Sequence, residues 1–524
     1  MAADRTLSAL LAWICLCSDG ARAQEPVGLL PAPAGEVARP AESARPAWLD
    51  RGRRLLAVED PLGAWRVFAG AQPSGPEQVE RTLGLGRAHL MLGHAERATA
   101  LGERSVGAAP GRQDAMALTV RALIRARAFD EAVARSRRYL ARSPSPDADL
   151  LAARGSSLFR VQRTSDAAAV YRQVVALDGA HAEAHLRLGS GLLGPVVIGI
   201  PPQLERAVEA LAVGARARGV ELLQGVLQAH PGHPIAHRLL GESLFAERTA
   251  NCMAMQSDSF RALAERAAAP NNGALRVAEF VPAYRAVSAA RRAVIDRTAA
   301  MFGSRLGRLL QAGGRHDLLT ELERTTDAAS RENLRGRRTF DGRVWDDVRG
   351  VGGLRAATGI EALDEAASFG FDTFAHEVAH QVHFFTFSPL ERARLRSLYK
   401  LALAEGRCLD YYAASNEAEY FGQGVEAFVS LAKRPGSETT HGHTRWELMR
   451  VDRDLYDFIA ELVDFDPLLD ADRPADLLSA AVAAALCCGR PQDAQVAAGM
   501  LKPGPSRRRL EAAAVAAARE LRPR

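Results

Sequence analysis

The chain has 524 residues, 25% of them charged and 48% hydrophobic, with a formal net charge of +5. That length exceeds what a single hydrophobic core serves and predicts about three domains. The weak charge, with no basic stripe interleaved with aromatics, argues against nucleic acid as a partner.

At the N-terminus Arg5 precedes an apolar run from Leu7 to Cys17, then Ser18-Asp19-Gly20 and Ala21-Arg22-Ala23. Basic, apolar and small-x-small segments in that order predict a signal peptide cut after Ala23, and so export to a periplasm or beyond. The run is too short to span a bilayer, and no later segment reaches about 18 apolar residues, so no transmembrane segment is expected after cleavage. Cleavage leaves Cys252, Cys408, Cys487 and Cys488. Four cysteines in so long a chain make neither a disulfide framework nor a zinc site by spacing. One bridge stays open to them, its pairing unreadable. Cys487 and Cys488 read as two small apolar helix residues.

Residues 24–46 hold Pro26, Pro31, Pro33, Pro40 and Pro46 and read as an extended linker. The whole chain is rich in Ala, Leu and Arg, which favours helix, and from 47 to 250 a period shows. Pro110 and Pro144 close two similar segments 34 residues apart, as do Ala98 and Ala132; a third unit carries Gly155, Ala167 and Tyr171. "AHLRLG" (to Gly189) and "AHRLLG" (to Gly241) repeat the signature of a first helix, and "LLGPVVIGIPPQ" interrupts the register. Period and small residues together resemble the tetratricopeptide repeat, in which small side chains let the helices of a hairpin pack closely. That resemblance implies a protein partner on the repeats.

Residues 251–335 read as connecting helices. From 336 to 360 Gly, Val and aromatic residues predict turns with short strands. Helices are expected over 371–387 and 416–431, inside a unit spanning 336–470, and again as a hairpin over 471–524.

The chemistry concentrates in "FAHEVAHQVHF", residues 374–384. His376 and His380 are four apart, so a helix presents both imidazoles on one face, spaced to share a Zn²⁺. Glu377 lies beside them, where a carboxylate takes a proton from water rather than binding metal. By composition HExxH arises by chance about once in fifty such chains, and an amphipathic helix accounts for it equally well. A zinc site also needs a third protein ligand and a position left open for water. His383 and Thr386 stand where the metzincin extension requires Gly and His, which removes that class. Downstream, "YYAASNEAEYFGQGVEAFVS" places Glu419, Gln423 and Glu426 on one helical face, although Asn416 and Glu419 also fit a capping box. His441 and His443 read as a surface turn.

"HEVAHQVH" followed by "YAASNEAEYFGQGVEAF" resembles the zinc peptidases related to anthrax lethal factor and the clostridial Pro-Pro endopeptidases. The similarity covers about residues 336–465 and includes "FDGRVWDDVRGVGG" upstream. The resemblance implies His376, His380 and Glu419 as zinc ligands, Glu377 as general base and Tyr412 as the oxyanion-stabilising hydroxyl. Tyr412 is preferred to Tyr411 by its seven-residue spacing to Glu419. It also implies an extended peptide aligned by strand addition along Gly352, Gly353 and Leu354. Two departures stand out: His383 replaces a usual aspartate, and Gly422-Gln423 replaces Ala-Glu. The expected fold is mostly α, an N-terminal repeat solenoid followed by an α+β zincin-like domain and a short C-terminal helical segment. The expected function is zinc-dependent peptide-bond hydrolysis with protein or peptide substrates. The competing reading is a non-catalytic repeat scaffold with a structural peptidase-like domain, supported by the larger share of the chain that the repeats take.

Overall fold

A computed structural model describes residues 46–194, 199–264, 276–434 and 442–521. The leader and almost all of the linker lie outside the described residues, as does His441.

The described chain is mostly α-helical. Its first part is a stack of helical hairpins: Ala47–Ala57 with Pro61–Gly70, Glu77–Met91 with Ala95–Ala108, Gln113–Arg125 with Phe129–Leu140, and Ala148–Arg160 with Thr164–Leu177. The in-phase alanines explain the stack, since Ala98, Ala132 and Ala167 all have no exposed surface and let neighbouring helices approach. The backbone repeats as well. Each hairpin turns through one left-handed residue, at Glu59, Gly93, Arg127 and Gln162, with φ between 57° and 83°. Glycine stands at only one of the four, so the other three carry backbone strain that packing of the flanking helices must outweigh.

The register breaks after Leu177. Ala182–Arg187 runs into a widened turn, Leu188–Leu192, kinked at Gly191. A separate hairpin follows, Pro202–Ala212 with Arg216–Ala229, and then a 31-residue helix, Pro234–Ala264. The two look-alike segments do not succeed one another along the stack as first helices. They pack face to face, His185 Nδ1 lying 2.8 Å from His237 Nδ1. The residues between 177 and 234 thus bring two copies of one signature together instead of extending the array.

The expectation of connecting helices over 251–335 needs correction. The long helix crosses position 250 without a break, and Arg315–Leu319 forms strand β1. β1 pairs in parallel with β3, Arg355–Gly359, and β3 pairs antiparallel with the two-residue β2, Gly350–Val351. The sheet order β1-β3-β2 makes β3 central and β2 an edge. β1 eludes local reading because its partner lies 40 residues away along the chain. One hydrophobic core joins Val294, Phe302, Phe374, Val378, Phe421, Phe428 and Ile459, and it already includes Val277 and Phe280. The unit around the candidate site therefore begins well before residue 336.

The C-terminal region is three helices, Pro474–Cys487, Pro491–Gly499 and Pro505–Glu520. They bury Leu477, Ala481, Ala494 and Leu510 with Phe260 of the long helix and with Trp446. The last helix returns to the start of the stack: Arg66 donates to Glu520 at 2.6 and 3.0 Å, and Leu521 packs with Leu62 and Leu92.

Candidate metal centre

The motif helix spans Thr373–Thr386 and starts where the Asp372 carboxylate accepts the Ala375 N–H at 2.9 Å. Phe374, Ala375, Val378 and Val382 face the core. His376 and His380 are 5% and 6% exposed, so both imidazoles are held in low dielectric with their rings 4.6 Å apart. A second helix, Glu417–Val429, packs directly across them. Asn416 caps it by accepting the Glu419 N–H at 3.0 Å. The Glu419 carboxylate does not complete the capping box; it turns to the histidines instead. Glu419 Oε2 lies 3.2 Å from His376 Nε2 and 3.5 Å from His380 Nε2.

Donor atoms of His376, His380 and Glu419 all fall within 4.8 Å of one another, the one such cluster among the described residues. Two imidazole nitrogens and one carboxylate oxygen are a fitting donor set for Zn²⁺ with a position left over. One orphaned polar atom points the same way. Glu377 Oε2, beside the two histidines, is buried without a hydrogen-bond partner among the described residues. Such atoms are costly in a packed interior unless something else satisfies them. Glu426 Oε2 faces His376 Nδ1 from 3.5 Å, placed to orient that ring.

The charges divide sharply. Burial holds the Glu377 carboxyl above its usual range, and Glu419 and Glu426 add to that against the two histidines. Glu419 is held well below its range, because His376 and His380 outweigh the effect of its burial. Burial works against a charged His376, yet Glu419 and Glu426 raise it well above the usual imidazole value. The Tyr412 hydroxyl is likewise pushed well above its ordinary value, by burial and then by Glu419, with Arg343 opposing. It stays protonated and able to donate.

Tyr412 and Tyr411 are sorted by their surroundings. The Tyr411 hydroxyl is bonded to Arg160 of the helical stack, whose guanidinium also lies 4.5 Å over the ring. Tyr412 sits against Phe340, ring centroids 5.2 Å apart. Phe340 and Phe384 are exposed aromatics at the two sides of the site, and Phe384 stacks toward His380 at 6.3 Å.

Gly422 packs against the imidazole rings of His376 and His380 themselves. A Cβ there would lie 2.9 Å from His376 Cε1 and 3.0 Å from its Nε2. On the opposite side, Cβ atoms at Gly350 and Gly352 would meet Glu377 Oε1 at 2.4 Å and His380 Cβ at 2.9 Å. Bare backbone thus closes on the site from two sides. The expected strand-addition residues need correction in one respect. Leu354 carbonyl already accepts from Arg315 N and Gln381 Nε2, because β3 is central. The edge over the site is Gly350–Val351, running into Gly352 and Gly353.

Three other assignments resolve here. His383 is no fourth ligand: its Nε2 pairs with Glu417 Oε1 at 3.3 Å. His443 is not part of a surface turn. Its side chain is 11% exposed, between Asp410 at 3.4 Å and Glu447 at 3.4 Å, and Glu447 also pairs with Lys433 and Arg490. Gln381, unremarked in the sequence, ties the motif helix to the sheet. Its Oε1 accepts from His316 Nδ1 at 3.0 Å and its Nε2 donates to the Arg315 carbonyl at 3.0 Å, while His316 Nε2 meets Thr358 Oγ1 at 2.9 Å. Its position just after His380, and Glu426 seven residues after Glu419, were the only signals the sequence offered for these supports.

No family model matches the chain, and no curated protein does. Among solved structures, the chain is similar to a thermophilic TPR protein of Thermus thermophilus at 18% identity and TM-score 0.27, over 38% of this chain and 97% of that one. It is also similar to MamA AMB-1 (19% identity, TM-score 0.22, 27% of this chain and 77% of that one). MamA MSR-1 follows at 16% identity and TM-score 0.22, over 38% and 94%.

Proposed function

We propose that the protein is a zinc-dependent peptidase, and that its helical stack recruits a protein partner or substrate. The observation that carries this reading is the convergence of His376, His380 and Glu419 within 4.8 Å, with Glu377 beside them. His376, His380 and Glu419 would hold the ion, which when bound would supply positive charge to polarise a peptide carbonyl and acidify water. Glu377, its carboxyl raised by burial, takes the proton from the attacking water and passes it to the leaving amine. The Tyr412 hydroxyl, kept protonated, donates a hydrogen bond to the developing oxyanion. Backbone groups of the Gly350–Gly353 edge align an extended peptide across the motif helix. Phe340 and Phe384 line either side and favour apolar side chains next to the scissile bond. Export through the leader ending at Ala23 belongs to the same proposal. Among the described residues no helix is long and apolar enough to cross a membrane.

A second reading is a non-catalytic exported helical-repeat scaffold in which the peptidase-like domain is structural. It is favoured by the share of the chain that the helical hairpins occupy. One experiment separates the two. Zinc per chain and cleavage of a diverse peptide library are measured for the wild type, Glu377→Gln and Glu419→Ala. The peptidase reading expects Glu377→Gln to keep its zinc and lose cleavage by roughly a hundred- to ten-thousand-fold. Glu419→Ala should lose zinc. A wild type that cleaves nothing supports the scaffold, and one that binds no zinc ends the peptidase reading and leaves the scaffold standing.

A further inference from the structure

Cys252 and Cys488 are 236 positions apart in the chain, yet their sulfurs lie 3.9 Å apart. Cys252 is buried on the long helix Pro234–Ala264, and Cys488 is the half-buried cap that ends Pro474–Cys487. Gln256, one turn after Cys252, donates from Nε2 toward both sulfurs, at 3.5 and 3.2 Å, and so holds the pair in register. A small cavity of about 40 Å³ adjoins them, lined in part by Glu59, Met91, Gln256 and Arg490. Cys408 is buried elsewhere, where its backbone carbonyl accepts from Arg127.

We propose that Cys252 and Cys488 are a disulfide-forming pair that locks the C-terminal helices onto the long helix when the protein meets a small disulfide oxidant. Sulfurs 3.9 Å apart on two packed helices are within reach of a bond, which forms where the two Cα atoms lie within about 7 Å. With glutathione disulfide as oxidant, the more accessible Cys488 thiolate attacks one glutathione sulfur. The glutathione S–S bond breaks and one glutathione thiolate leaves. Cys252 then gives its proton to solvent and attacks Cys488 Sγ, forming the protein disulfide and releasing the second glutathione thiolate. Two protein thiols are oxidised by two electrons, and one glutathione disulfide is reduced to two thiols. The closed loop contains the whole candidate metal centre, since residues 376, 380 and 419 all lie between 252 and 488. Cross-linking so long a loop constrains the unfolded chain strongly. The pair touches none of the ligands and stands or falls independently of catalysis.

The test uses the full chain, first reduced, then equilibrated with glutathione disulfide, alkylated and digested without reductant. The expected product is one peptide pair joined through Cys252 and Cys488, two hydrogens lighter than the sum. Oxidation should also raise Tm by about several degrees. Cys252→Ser and Cys488→Ser should lose both effects, whereas Cys408→Ser should keep both. The proposal is overturned if Cys252 is recovered alkylated or carrying glutathione, if the bond joins Cys487 instead, or if Tm does not move. Should Cys252→Ser fail to fold, the wild-type linkage and the Cys408→Ser control still decide the matter.

Discussion

Two glutamates of the same site behave oppositely, and their neighbours explain why. Glu419 faces both imidazoles and is held ionised; Glu377 is buried beside the same rings but also beside two other carboxylates, and is held toward its protonated form. On the peptidase proposal the first state suits a metal ligand, and a raised carboxyl suits a general base because it starts ionised yet holds an accepted proton more firmly than an ordinary glutamate. His316 shows the plainest case of burial. It has no exposed surface, and burial depresses its imidazole to about 4. The unfolded chain, with its imidazole near 6.5, binds a proton before the folded chain does. Stability from neutral His316 is therefore complete above pH 6.5 and is lost as pH falls from there toward 4, a span worth ~3 kcal/mol. Urea unfolding of metal-free protein at pH 7 and pH 4.5 checks this. His316→Asn should lose clearly less stability across the interval than the wild type, and equal losses would remove His316 as a source.

At the scale of elements, the site is an approach of two helices that only small residues permit. Thr373–Thr386 brings two imidazoles and Glu417–Val429 brings the carboxylate, with Gly422 as the point of contact. Alanine is a better helix former than glycine, so Gly422→Ala is not expected to weaken the helix itself. Its methyl would press on His376 and displace the ligand rings. The expected result is a fall in zinc affinity of roughly tenfold or more with secondary structure unchanged, measured by competition with a chelating dye and by circular dichroism. Unaltered affinity would mean that the rings have slack the packing does not suggest. The sheet supports the same approach from behind. Gln381 reaches three groups on or beside β1 and β3, so the motif helix cannot rotate without stranding buried polar atoms.

On the scale of the whole molecule, the helical stack reaches into the site. Arg160 grips Tyr411, Phe129 meets the same ring at 5.7 Å, and Arg127 donates to the carbonyls of Cys408 and Leu409 at 2.9 and 2.8 Å. Val344 N bonds Gly191 O at 2.8 Å, seating the Phe340-bearing segment on the kink of the stack. The loop carrying Tyr412 is thus tied to the repeats as well as to the core around the motif helix. On the peptidase proposal, Arg160→Ala should leave zinc content unchanged and lower the rate of peptide cleavage about tenfold, because loss of its bond to Tyr411 loosens the loop that carries Tyr412. A variant that loses zinc as well would show the contact to be a general support of the fold.

How much of this was legible in the sequence differs by feature. The hairpin stack was, because small residues recurring every 34 or 35 positions are the direct cause of the close packing seen at Ala98, Ala132 and Ala167. The motif helix and the carboxylate helix were, within about two residues of their ends, because their patterning and the Asn416 cap are local. Strand β1, the face-to-face histidines His185 and His237, the buried His443 and the Cys252–Cys488 pair were not. Each is defined by a partner 30 to 240 residues away, on the order of contacts that no local period records. The sequence by itself determined the helical stack, the motif helix and the carboxylate helix, and named the candidate residues they carry. Only the tertiary structure decided which nitrogens face Glu419 and which cysteines meet, because those outcomes depend on packing between elements whose spacing along the chain says nothing of their distance in space.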